Sequence, residues 1–277
     1  MTRVLLNRYH QRSQEAFLKG LPKTDLQNLA NQNTPSEDVA AALTAPLDKI
    51  RHIHYSWLIP ILKSLPEGLK SLTVAALPQP QSGRLCKFLK MHHPKIPLSP
   101  PVKTFLINTL YERVDKKKTL PVQYLPQTEL SILASLSKDK LIVLIDFLGL
   151  FDLAESIRQI VDTKTLKNIY SCLDAKKQQF LRICLHQKEK VSSHRLDLNL
   201  WHGECHSLHK ILHRRGLHRL GRALIGQHPD FIWHVLHTLD SGRGKLLSVS
   251  IAQEESTGIS SALAQQVQNT LNFLKKE

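Results

Sequence analysis

The chain is 277 residues long, with 42% apolar, 22% charged and 6% aromatic residues, and only 11 glycines and 14 prolines. Such a composition fits a folded chain of about two domains and excludes a collagenous, disordered or turn-dense β protein; leucine and charged helix formers outweigh β-branched residues, which predicts an all-α fold. Lys and Arg number 38 against 23 Asp and Glu, a net charge of +15 that points to nucleic acid, a membrane face or an acidic protein as partner.

Proline divides the chain unevenly: thirteen of the fourteen lie before residue 127, and Pro229 is the only one after it. The first part therefore reads as short helices broken by turns, predicted at 3–19, 22–32, 36–52, 55–65, 67–77, 82–92 and 101–115. Ser36, Glu37 and Asp38 supply a cap and first-turn acids for the third. Pro94 to Pro101 is an extended connector. Asp115 to Lys118, followed by Pro121 and Pro126, marks a boundary. The expected modules are 1–118, 127–200 and 201–277.

From residue 127 the apolar residues follow helical spacing, and the pattern recurs about 66 residues later, with Leu173-Asp174 matching Leu239-Asp240. Units of a few short helices cannot bury their faces alone, so they should stack. A looser mark, Leu followed by Pro, Ser or Asp, occurs at Leu21, Leu65, Leu136, Leu173 and Leu239. It extends the same construction toward the N-terminus. Ile259 to Leu274 is a final amphipathic helix, with Ser256 and Ser260 as candidate caps.

Four widely spaced cysteines, Cys86, Cys172, Cys184 and Cys205, form no CxxC pair and read as reduced thiols of a cytosolic protein. The N-terminal apolar run is too short for a signal peptide, and nothing approaches a membrane span. No phosphate-binding glycine loop, nucleophile elbow, HExxH or paired-carboxylate signature stands out, so neither catalysis nor a cofactor is expected. Gly242 and Gly244 read as residues that loosen a helix start.

Histidine is the compositional oddity: ten of fifteen lie between 186 and 237. His202, His206, His209 and His213 fall on one helical stripe, a spacing that can hold zinc or another transition metal. Gly203 weakens that stripe, and the same enrichment also describes a wet surface that charges as pH falls below about 6.5. Arg214, Arg215, Arg219 and Arg222 adjoin it, with Lys188, Lys190, Arg195 and Lys210 close by. They could line an anionic partner, although a charge run is ordinarily a solvated face. Trp201 and Trp233 read as core.

Leu208 to Leu274 resembles the C-terminal module of the flagellar motor-switch protein FliG family. Ala223-Leu224-Ile225-Gly226 resembles the family's A-L-K-G. Leu246, Leu247, Ile251 and Ala252 match the apolar side of the helix that follows, and Gln266 a glutamine of the closing helix. Gln227-His228-Pro229-Asp230, followed by Ile232, Val235, Leu236, Leu239 and Asp240, is similar to the E-H-P-Q segment of the middle module; a weaker likeness covers 129–187. The family's torque charges are missing: Ile225 stands at the lysine, Val249 and Ser250 at the acids, and Gly242, beside Arg243, near the arginine.

The resemblance implies armadillo-like modules in a right-handed superhelix. It also implies a non-rotating, multi-copy adaptor of a type III secretion apparatus at the cytoplasmic face of the inner membrane. The implied partners are ring and sorting-platform proteins, an acidic domain or the anionic leaflet, with no small-molecule substrate. The turn at Gln227, His228, Pro229 and Asp230, with Ile232, Trp233, Arg214 and Arg215, is the candidate partner-binding surface. A basic α-solenoid that binds nucleic acid is the competing reading.

Overall fold

The computed structural model describes residues 18–31, 50–116, 119–186, 196, 198, 201, 203–252 and 257–275. The helices predicted at 3–19 and 36–52 fall almost wholly outside these residues. Those described are all-helical, without a strand among them. The helices are α1 (Lys23–Asn31), α2 (Ile59–Lys63), α3 (Glu67–Ala76), α4 (Gln79–Leu89), α5 (Pro100–Val114), α6 (Lys138–Ile157), α7 (Thr163–Ser171), α8 (Ala175–His186), α9 (Cys205–Ala223), α10 (Pro229–Thr238), α11 (Ser241–Ile251) and α12 (Thr257–Lys275). Among the described residues no helix is long and apolar enough to cross a membrane.

Two cores result. The smaller joins Ile50, Leu58, Leu62, Val74, Leu85, Ile107 and Leu110 from α2 to α5 and the turn before them. The larger runs from Leu125 to Leu271, so the segments expected as a middle and a C-terminal module share one core. Its axis is α6, whose sequence LIVLIDFLGLFDLA is apolar on nearly every side and is buried accordingly. Proline density explains why the first unit is made of short helices: Pro60, Pro80 and Pro100 each sit in a first turn, where the missing N–H costs nothing.

Helix starts repeat where the apolar pattern does. Thr163 and Pro229 open α7 and α10, Ala175 and Ser241 open α8 and α11, and Lys138 and Cys205 open α6 and α9. The Leu marks are helix entries: Pro66, Ser137 and Asp240 occupy N-cap positions, and Asp174 Oδ1 accepts from the Lys177 N–H at 2.8 Å.

Helices α6 and α9 cross in backbone contact. A Cβ on Gly149 would lie 2.2 Å from Leu212 O, and one on Gly216 would lie 1.7 Å from Ile145 O. Counted from the two helix starts, Gly149 is equivalent to Gly216 and Ile145 to Leu212, so the crossing is reciprocal, like the self-complementary face of a twofold pair.

Two expectations are corrected. Cys172 and Cys205 form a disulfide, with Cα atoms 4.9 Å apart, because α9 begins beside the end of α7; Cys86 and Cys184 are buried free thiols. Burial pushes the Cys184 thiol up to about 12. Ser260 is no cap of its own helix: it lies inside α12, and its hydroxyl donates to Arg222 O at 3.0 Å and Ile225 O at 3.1 Å, carbonyls at and just past the end of α9. Ser256 lies outside the described residues.

Candidate functional site

The histidine stripe divides among separate partners. His202 is outside the described residues. His206 is exposed on the first turn of α9, and His209 Nε2–H donates to Cys172 O at 2.8 Å. At His213, Nδ1–H donates to Asp146 Oδ1 at 2.6 Å while Nε2 accepts from Arg243 Nε at 2.8 Å, so both ring nitrogens are engaged. Among the described residues no group of three or more His, Cys, Asp or Glu is placed to hold a metal ion.

The candidate turn lies largely in the seam between the two units. Gly226, at φ +82°, takes a left-handed conformation that a side chain would strain, and this turns the chain from α9 into α10. His228 Nδ1 caps α10 by accepting the Asp230 N–H, and Pro229 fills the first turn. Asp230 Oδ2 accepts from the Leu120 N–H at 3.0 Å, and His234 Nε2–H donates to Leu120 O at 2.8 Å, which clamps the connector after α5. Ile232 packs on the larger core, Trp233 on the smaller one, and Gln227 is half-buried with Oε1 unpartnered. The Trp233 ring stacks on His237 at 4.0 Å and meets Tyr111 edge-on at 6.4 Å.

From the other side of the seam comes Trp57. Its Nε1–H donates to Leu239 O at 2.9 Å, and its ring fills the space where a Gly244 Cβ would sit, 2.5 Å from Cζ2. Gly244 therefore admits a neighbouring unit rather than merely loosening a helix start. The His54 N–H donates to His237 O at 2.8 Å, and the Ser241 N–H donates to Ser56 Oγ at 2.8 Å. Lys138 Nζ donates to His54 Nε2 at 2.9 Å and lies 3.6 Å from Asp240 Oδ2. Burial, then the charge of Lys138, lowers His54 to about 4. Desolvation likewise lowers His234 and His237. Burial alone would raise Asp240, but hydrogen bonds from Arg243 hold it at about 2.

Arg214 is exposed, whereas Arg215 Nε donates to Asp152 Oδ2 at 2.8 Å. Asp152, 3% exposed, also accepts from Arg219 at 2.5 Å, and Arg219 Nη1 donates to Gln266 Oε1 at 2.6 Å. This buried ion cluster joins α6, α9 and α12. Sequence reasoning placed these arginines at a surface; the signal it passed over was a pair of acids, Asp146 and Asp152, inside the apolar run of α6.

An apolar groove of about 220 Å³ lies on the first unit, between α3 and α5. Leu65, Leu69 and Thr73 form one wall at helical spacing; Phe105, Thr109 and Arg113 form the other. Phe105 is 68% exposed, and Leu69 and Val102 are exposed beside it. On the second unit Leu246 and Val249 are exposed on α11, Val249 being 63% accessible.

No protein-family model, curated protein or solved structure matches this chain. The site must be judged on its own chemistry. It offers two exposed apolar surfaces, the groove beside Phe105 and the strip on α11. Arg113 lines the first, and residues 50–116 carry ten Lys and Arg against three Asp and Glu.

Proposed function

We propose that the chain is a non-enzymatic structural adaptor of a type III secretion or flagellar-type apparatus, joining a membrane ring to the cytoplasmic ring or sorting platform. The observation that carries this reading is the Phe105 groove. Exposed apolar patches of this kind mark interaction surfaces, and a groove between two helices fits the apolar face of a third. Arg113 in the groove wall and the basic balance of this unit favour an acidic amphipathic helix, the chemistry expected of an acidic ring domain.

The resemblance of Leu208–Leu274 to the motor-switch family supports the apparatus, and the uncharged Val249 and Ser250 support an adaptor that transmits no torque. Cytoplasmic residence at the inner-membrane face, and many copies per assembly, belong to the same proposal. So does the right-handed superhelix. Because the α6–α9 crossing closes its pair of units reciprocally, such a superhelix would grow from units added at the outer faces, including those of neighbouring copies.

The test is a nuclease-treated affinity pull-down from the native cell at two salt concentrations, read by mass spectrometry, with wild type and Phe105→Asp. Recovery of ring or sorting-platform proteins by wild type, lost with Phe105→Asp at unchanged melting temperature, is the expected result. Recovery of ribosomal or nucleoid material that vanishes with nuclease and salt would sink the adaptor and favour the nucleic-acid solenoid.

A further inference from the structure

The seam contains a second concavity, polar where the Phe105 groove is apolar. It measures about 620 Å³ and opens between the chain around Arg51–Tyr55, helix α4 and the start of α6. Arg51 and Arg84 line it from the first unit and Lys138 from the second, so three permanent cations converge on one opening; Asp139, the carboxylate in the lining, is exposed. The Arg84 guanidinium lies over the Tyr55 ring, 5.9 Å from its centroid, which occupies the face of the group and leaves its N–H donors directed in plane.

Helix α6, twenty residues long, begins at this opening behind the Ser137 cap. The N–H groups of Lys138 and Asp139 belong to the first turn, where no intrahelical acceptor exists, and the positive end of the helix dipole adds to the cations. His54, on the same wall, is influenced by Lys138, Arg84 and Arg243, with Asp240 as the opposing charge.

An independent observation comes from Gln81, which lines the pocket and is 8% exposed. Its Nε2 donates to Ile50 O at 2.7 Å and to Ile53 O at 2.6 Å, which fixes the orientation of the amide. Oε1 is thereby committed to accepting, yet it is buried without a hydrogen-bond partner. Leaving such an acceptor unmet is costly, and a small shift of the Gln81 amide toward the opening would let a ligand donor meet it.

We propose that this pocket binds a phosphate-bearing small molecule of nucleotide size, its phosphate against Arg84, Lys138 and the first turn of α6, and a hydroxyl or N–H donor on Gln81 Oε1. The size suits the class, since small-molecule pockets run from about 300 to 1,000 Å³. Helix starts and arginine forks are the usual phosphate receivers. Because the walls come from both units, the ligand would bridge them, acting as an effector of their docking rather than a substrate. The proposal is independent of the adaptor reading.

The experiment uses the full chain. Calorimetric titrations with adenosine monophosphate, with inorganic phosphate and with phosphatidylglycerol vesicles are made at 0.15 M salt, roughly physiological. Wild type is compared with Arg84→Gln, Lys138→Gln and Lys95→Gln, the last an exposed cation outside the pocket. The expected result is saturable one-to-one binding of the nucleotide, tighter than phosphate alone and weakened roughly tenfold or more by either pocket variant but not by Lys95→Gln. In wild type the His54 resonance should shift upward in its titration as the anion arrives, a readout that needs no variant to fold. Equal weakening by Lys95→Gln, binding to vesicles alone, or no saturable binding of nucleotide or phosphate would each overturn the proposal.

Discussion

Acidification should undock the seam through its buried histidines. His54 titrates near 4 in the folded chain and near 6.5 when unfolded. Between those values the unfolded chain takes up a proton that the native one refuses, so stability is full above pH 6.5 and falls as pH drops through the window. At pH 5 the difference amounts to about 2 kcal/mol from His54 alone. His234 and His237 are lowered as well and act in the same direction; the charged groups near them are Asp115 and Asp230, with His52. Asp240, held at about 2, stays ionised throughout and contributes nothing to this slope. Urea unfolding followed by tryptophan fluorescence at pH 7.5 and 5.0 measures the loss, since Trp57 and Trp233 both sit in the seam. For a protein of this size the corresponding fall in melting temperature is about 4–8 °C. His54→Gln keeps an acceptor near the Lys138 ammonium but cannot titrate, and should remove most of the His54 share. A variant slope equal to wild type, or a wild type indifferent to pH in this range, would refute the reasoning.

Gly216→Ala should cost more than about 3 kcal/mol in chemical denaturation, because its methyl group would enter the Ile145 carbonyl and backbone cannot retreat as a flexible side chain can. Asp152→Ala strands Arg219 and should cost about 3–5 kcal/mol, whereas Asp152→Ala combined with Arg219→Met should recover part of that loss in a double-mutant cycle. Cys205→Ser should lower stability by about 3 kcal/mol under non-reducing conditions and change little with a reductant present. Thiol quantitation of the unreduced, denatured wild-type chain should find two reactive thiols; four would exclude the disulfide.

Regular elements were legible where a local rule governed them. The apolar run of α6, the caps at Ser137 and Asp240 and the proline-led first turns of α4 and α5 are set by neighbours in sequence; the helices predicted at 82–92 and 101–115 are α4 and α5, which begin at Gln79 and Pro100. Helix starts at Thr163 and Ala175 recur at Pro229 and Ser241, at the spacing of the apolar pattern. Spacing could not reveal which faces meet. Trp233 reads as core and is packed, but against another unit's core, and Trp57 carried no mark that it would slot beside Gly244. Cys172 and Cys205 lie 33 residues apart, a separation that says nothing of pairing until α7 and α9 are placed together. Ser260 matched the composition of a cap, and its hydroxyl does satisfy helix-end carbonyls, though those of α9. The unpartnered Gln81 oxygen has no counterpart in any sequence pattern.

The placement of charge decides where an anionic partner can bind. Helix α9 carries the basic cluster that drew attention in the sequence, yet Arg219 and Arg222 are buried and Arg215 is spent on Asp152, which leaves Arg214 and Lys210 as its exposed cations. A helix so rich in arginine occupies the centre of the larger core because Asp152 from α6 and Gln266 from α12 converge on it. Those positive charges therefore serve internal cohesion and lend little to long-range attraction. In the first unit Lys and Arg outnumber the acids by ten to three between residues 50 and 116; Arg113 lines the Phe105 groove, and Arg51 and Arg84 line the polar pocket of the seam. A salt-sensitive interaction should consequently follow the first unit. Charge removal there, as in Lys63→Gln with Arg113→Gln, should weaken capture of an acidic partner, whereas Arg214→Gln with Lys210→Gln should leave it within about twofold of wild type.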